Sequence, residues 1–168
     1  MAKPQDIYMQ FADVSVAYHA TDVTNVVEGF RNTGLSIRGG LVWLIHMIEI
    51  LFIGIYYHGN TDQKESIALS TVTGLTSMPL LGRKGTLCKA ELDHGLTTSG
   101  AASGEGPKIL RYLPPIPFAA PSVRIYGACL NNQVPMQGKT IEARIGYTTE
   151  AIDKATYAEL AEVWEQST

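Results

Sequence analysis

The dominant feature in the pattern of apolar and polar positions is Leu41–Tyr57, LVWLIHMIEILFIGIYY, seventeen residues interrupted only by His46, Glu49 and Gly54. A stretch buried on both faces has no useful period, so composition has to separate helix from strand. Val42, Trp43, Ile45, Ile48, Ile50, Phe52, Ile53, Ile55, Tyr56 and Tyr57 are β-branched or aromatic, and Gly39, Gly40, Gly54 and Gly59 punctuate the ends. That composition favours one long central strand, bulged or straight, or two strands meeting near Gly54. A membrane-spanning helix is the lesser reading, since spanning takes about 20 apolar residues and a charge near the middle costs roughly 2.5–3.5 kcal/mol. His46 and Glu49 stand three apart, on opposite faces of an unbroken strand. They read as a polar pair reaching solvent or a subunit contact.

Before this run, residues 1–12 form an arm, polar and with Pro4 early, carrying Ile7, Tyr8, Met9 and Phe11 as docking groups. Val14, Val16 and Tyr18 alternate with polar or small residues and predict a short half-buried strand. Val23, Val26, Val27 and Phe30 then fall at helical spacing, with Thr21 or Asp22 as cap and Asn32–Gly34 as stop, and predict a short amphipathic helix. After the run, HGNTDQ at 58–63 is a turn, and Ile67, Leu69 and Thr71 alternate as a strand expected to pair back with the end of the long run.

Residues 74–85 read as a loop with Arg83-Lys84 at its tip, and Thr86, Cys88, Ala90 and Leu92 as another strand. The Gly-rich stretch 96–108 is a surface loop, followed by a short strand at Ile109–Tyr112. The four prolines of LPPIPFAAP, residues 113–121, cannot donate to a sheet interior, so the stretch lies on an edge or crosses the surface extended. Residues 122–130 and 140–149 alternate most clearly and are expected to form a hairpin, with Ile141, Ala143, Ile145 and Tyr147 on one face and Glu142, Arg144 and Gly146 on the other. A helix over 154–166 follows, with Thr156-x-x-Glu159 as capping box and Tyr157, Leu160, Ala161 and Trp164 on its apolar face.

With 168 residues the expectation is one domain, 13–168, behind the arm. Charged residues make up 17% of the chain against a usual figure of about 25%, so much of the exterior is expected to be interface. A net charge of −3 lacks the basic footprint that neutralises phosphates, so nucleic-acid contact is not expected to be strong. Cys88 and Cys129 are too few for a disulfide framework; two buried thiols are expected, or one bridge if their strands adjoin. The start of the chain has no secretory-signal pattern.

No cofactor, metal or catalytic constellation emerges. Glu91-Leu-Asp-His94 has the spacing of one half of a di-iron carboxylate site, but such sites need two copies on helices. Asp93, His94 and Ser99 lack a nucleophile elbow. The glycines of 96–108 are not followed by the Lys and Ser/Thr of a phosphate loop.

The arm, IALSTV at 67–72, LPPIPFAAP and the terminal TIEARIGYTT resemble, in order and residue character, the single-barrel coat proteins of small icosahedral viruses and phages. The strand and loop pattern itself predicts a mainly β fold, a sandwich or jelly-roll-like barrel with a short N-terminal helix and a C-terminal helix, and the resemblance implies a self-assembling structural subunit of a virion or cytoplasmic shell, without enzymatic activity. Its partners would be copies of itself and other shell proteins. The apolar groups of the arm, the rigid proline stretch and the tryptophan of the short last helix give the expected subunit-interface residues as Tyr8, Phe11, Pro114, Pro115, Ile116, Pro117, Phe118 and Trp164. A basic arm of the kind that binds packaged RNA is missing. A small-ligand or carbohydrate-binding sandwich, with a pocket lined by Trp43, Tyr56, Tyr112 or Tyr126, is the first alternative. A membrane-attached protein using 41–57 is the second.

Overall fold

Alternating and β-branched segments do become strands. The structure, a computed structural model, describes residues 8–17, 26–53, 63–96, 102–104, 107–129 and 140–164. Among them are nine strands: β1 (Gln10–Ala17), β2 (Val27–Asn32), β3 (Leu41–Ile53), β4 (Gln63–Ser70), β5 (Thr86–Leu96), β6 (Ala102–Gly104), β7 (Lys108–Phe118), β8 (Ser122–Cys129) and β9 (Thr140–Ala151). One helix, α1 (Lys154–Trp164), closes the order. The strands form two antiparallel sheets, β1-β9-β3-β7 and β2-β8-β4-β5-β6, packed as a sandwich.

The core lies between the sheets. Ile45, Ile48 and Ile50 of β3, Ile141, Ala143 and Ile145 of β9, Ile67 and Leu69 of β4, and Val123 and Ile125 of β8 are all fully buried. Each large aliphatic among them is worth about 1.5–3 kcal/mol relative to exposure. The predicted faces of β9 hold for these residues: Glu142 and Arg144 point away from the core.

The long apolar run is β3, central in its sheet between β9 and β7. Its register against both neighbours shifts between Ile45 and Met47, a bulge at His46. Before the bulge Trp43 and Ile45 face the core; after it Ile48 and Ile50 do. The bulge inverts parity, which is why the run shows no clean period. It also corrects the placement of His46 and Glu49. Both end on the outer face, His46 bonded to Thr148 at 2.9 Å and Glu49 opposite Arg144.

Three further expectations are corrected. The short helix is absent where the structure describes that segment: Val27–Asn32 is strand β2, pairing with β8 from Val27↔Gly127 to Asn32↔Ser122, and Phe30 is exposed. Backbone partners on the β8 edge outweigh a helical spacing that holds only four apolar residues and includes Gly29. Val23 lies outside the described residues. The β4 strand pairs with β5 and β8, not with the end of β3, because β9 and β7 already occupy both edges of β3. Likewise β8 and β9 are not a hairpin: they belong to different sheets.

Other boundaries moved less. β1 begins at Gln10, inside the stretch assigned to the arm, and β7 includes Pro114, Pro115 and Pro117 as an edge strand whose pairing with β3 lapses over residues 112–115. The α1 cap is Asp153 rather than Thr156. Its carboxylate accepts from the backbone N–H groups of Ala155 and Thr156 and from the Thr156 hydroxyl, which holds its pKa below the usual carboxylate value.

Two seams close the sandwich. At one, β1 and β2 approach so closely that a Cβ on Gly29 would stand 2.1 Å from the Ser15 carbonyl oxygen, and Arg31 donates to the Asp13 carbonyl at 2.9 Å. At the other, the buried Cys88 thiol of β5 lies close enough to the half-buried Tyr112 of β7 to raise that residue's cost of ionising. Cys88 is free, and β4 separates its strand from the one bearing Cys129. Burial pushes the Cys88 pKa up to about 12 and raises that of Tyr112 as well.

Candidate assembly surface

The residues expected at an interface divide into two groups. Phe118 is fully buried and Trp164 nearly so. They belong to an aromatic series that ties the helix to the first sheet: Trp164 tilts against Phe118 at 4.9 Å, Phe118 stacks on Trp43 at 6.1 Å, and Trp43 on Tyr147 at 4.0 Å. The Trp164 indole N–H donates to the Pro117 carbonyl at 3.0 Å, and the Tyr157 hydroxyl to that of Ala119, also at 3.0 Å. Neither Phe118 nor Trp164 is free to meet a partner.

The others remain accessible, at opposite edges of one sheet. On the β1 side Tyr8 is 81% and Phe11 53% exposed; on the β7 side Leu113 is 98% exposed. Pro114 and Pro117 are exposed, and Pro115 and Ile116 half-buried. Prolines 114, 115 and 117 offer no N–H, so nothing can extend the sheet along this part of β7 through a full ladder. A partner here meets side chains.

Between the edges runs a row set by register: Phe11 opposite Gly146, Gly146 opposite Met47, Met47 opposite Arg111. A Cβ on Gly146 would stand 2.7 Å from Met47 Cγ and 2.8 Å from Met9 Sδ, so the glycine is the floor on which these thioethers and the Phe11 ring rest. Thioethers adapt readily to irregular contacts. The next row is polar, with Arg144 bridging to Asp13 at 2.9 Å; that hydrogen bond and charge raise the guanidinium pKa. Sequence reasoning picked out Tyr8 and Phe11 but not Met47, whose outward direction depends on the bulge.

The second sheet carries a charged cluster that sequence reasoning also missed. Arg124 pairs with Glu28 and lies 5.5 Å over the Phe30 ring, while the Gly74 N–H donates to Glu28 at 3.1 Å. Arg124 therefore meets Glu28, and Glu142 meets Arg144 of its own strand at 4.0 Å. Tyr126 is buried beneath the loop after β4, its hydroxyl donating to the Val72 carbonyl; burial and the Glu28 charge push its pKa up to about 12.

The aromatics expected to line a ligand pocket are engaged elsewhere. Trp43 and Tyr126 are buried in packing, Tyr112 is half-buried against the core, and Tyr56 lies outside the described residues. A cavity of about 460 Å³ does open between α1 and the segments 35–37 and 119–122. Among the described residues no group of three or more His, Cys, Asp or Glu could hold a metal ion; the side chains of Asp93 and His94 lie outside that description, as does Ser99. Among them, too, no helix is long and apolar enough to cross a membrane. No protein-family model matches the chain, and the search of curated proteins found no match.

Proposed function

We propose that this chain is a jelly-roll subunit of a self-assembling shell, a virion coat protein or its like, structural rather than catalytic. The observation that carries the reading is the strand order. An eight-stranded ribbon folded in half sets strand 1 beside 8, 2 beside 7, 3 beside 6 and 4 beside 5. Wrapped around a barrel, it gives sheets 1-8-3-6 and 2-7-4-5, the jelly-roll order. Setting aside the three-residue β6, the sheets β1-β9-β3-β7 and β2-β8-β4-β5 follow that rule at every position.

Jelly rolls serve lectins and cupins as well as capsids, so function must be argued from the surface. Here an almost fully exposed Leu113 heads a proline ridge on one edge, and an aromatic and thioether patch occupies the other edge of the same sheet. Two different apolar patches on opposite edges suit head-to-tail contact between copies, which closes into rings or shells when the rotation permits. The partners are further copies and other shell proteins, in a virion or a cytoplasmic assembly, with only weak contact to nucleic acid at a net charge of −3.

The test is sedimentation velocity of the purified chain beside Leu113→Asp. The wild type is expected to sediment as large, uniform particles at micromolar concentration and the variant as small species with an unchanged melting temperature. A wild type that stays monomeric contradicts the reading.

A further inference from the structure

We infer that the face formed by α1 and the turn at 80–85 is a two-fold contact with a second copy of this chain, distinct from the β7 ridge. The inference rests on self-association as proposed above and names one of its contacts. Leu80 and Leu81 are 70% and 69% exposed on the turn, and Val163 is 55% exposed on the helix. Between turn and helix runs a groove of about 540 Å³ with Trp164 and Val163 among its lining. Its turn wall carries Arg83 and Lys84, its helix wall Glu159 and Glu162, all four exposed. Among the described residues no ion pair joins the two walls. The buried hydroxyl of Thr86, also in the lining, has no hydrogen-bond partner there.

Charge decides the occupant. A polyanion drawn to Arg83 and Lys84 would meet Glu159 and Glu162 across the same groove, and a cationic surface would meet the reverse. A partner that satisfies both walls must present acid and base side by side at matching spacing. The same face turned through 180° does so: each copy's turn lies on the other's helix, residue i against j and j against i, with the exposed leucines and Val163 between them. Complementary charges of this kind fix register and partner choice.

The experiment uses the full chain carrying Leu113→Asp, so that growth through the β7 ridge does not mask a dimer. Sedimentation equilibrium should find a dimer for Leu113→Asp alone. Dimerisation should weaken at least roughly tenfold on adding Arg83→Glu/Lys84→Glu, or instead Glu159→Lys/Glu162→Lys, each variant keeping its melting temperature. Mixed in equal amounts, those two variants should dimerise again, because each wall then meets its opposite. The chain carrying all four charge changes should also dimerise. Dimers that persist in both single-wall variants, a mixture that stays monomeric, or a Leu113→Asp background that never dimerises overturns the contact. Uniform particles from the wild type beside a monomeric Leu113→Asp chain would sink this contact while leaving the shell reading intact. A Leu113→Asp dimer beside a wild type that never grows past two copies would do the opposite.

Discussion

Gly29 is the residue on which the β1/β2 seam depends. Its Cα faces the Ser15 carbonyl with no space for a methyl group, and the obstacle is backbone, which cannot rotate aside. Gly29→Ala is expected to destabilise the fold by about 1–3 kcal/mol, the usual cost of overpacking, measured as a lower urea midpoint with unchanged slope. Cys88 supports a second prediction. Its pKa rises from an ordinary 9.0 to about 12 in the fold, so the folded state favours the neutral thiol. The stability this contributes is complete below about pH 9 and is lost as pH climbs from there toward 12. In a Cys129→Ser chain, iodoacetamide at neutral pH should leave the folded protein unlabelled and label it once unfolded. Cys88→Ala should shift the onset of alkaline destabilisation upward, toward the range where Tyr126, raised from 10.0 to about 12, takes over. That Cys88 would be a buried free thiol was legible in the sequence, whereas the role of Gly29 was not. Gly29 sits in an apolar spacing that imitates a helix, and what makes it irreplaceable is a strand twelve or more positions away in the chain. Ile141, Ala143 and Ile145, by contrast, were readable from alternation alone, because a strand with one buried face writes a period of two.

At the scale of elements, α1 is held by its ends. Trp164 is wedged against Phe118 with its indole bonded to Pro117, and its carbonyl accepts from the Thr71 hydroxyl. Trp164→Ala should cost about 3–5 kcal/mol by denaturant titration. At the other end, Asp153→Ala removes the acceptor for two backbone N–H groups, and amide exchange should quicken over the first turn of α1 while the strands keep their protection. The existence of this helix and its apolar face were legible from spacing. Its cap was not, because Thr156 three places before Glu159 satisfies the capping pattern as well on paper as Asp153 does in space. The β3 strand teaches the same lesson: composition identified a central strand, but the bulge at His46 that turns Met47 outward arises from pairing with β9 and β7.

At the scale of the whole molecule, consecutive strands mostly fail to pair. β1 leads to β2 in the other sheet, β3 to β4, and β8 to β9. Sequence-local reasoning assumes that neighbours pair, as they more often do, and so expected hairpins at two of these crossings. The alternation between sheets leaves β7 and β1 as the two edges of the first sheet, each carrying apolar side chains outward. The most direct test of the account is electron microscopy of the purified wild-type chain at micromolar concentration in physiological buffer. Closed particles of one size, built from repeating subunits, are the predicted result. A field of single 18.3 kDa molecules, confirmed as monomers by mass in solution, would contradict it.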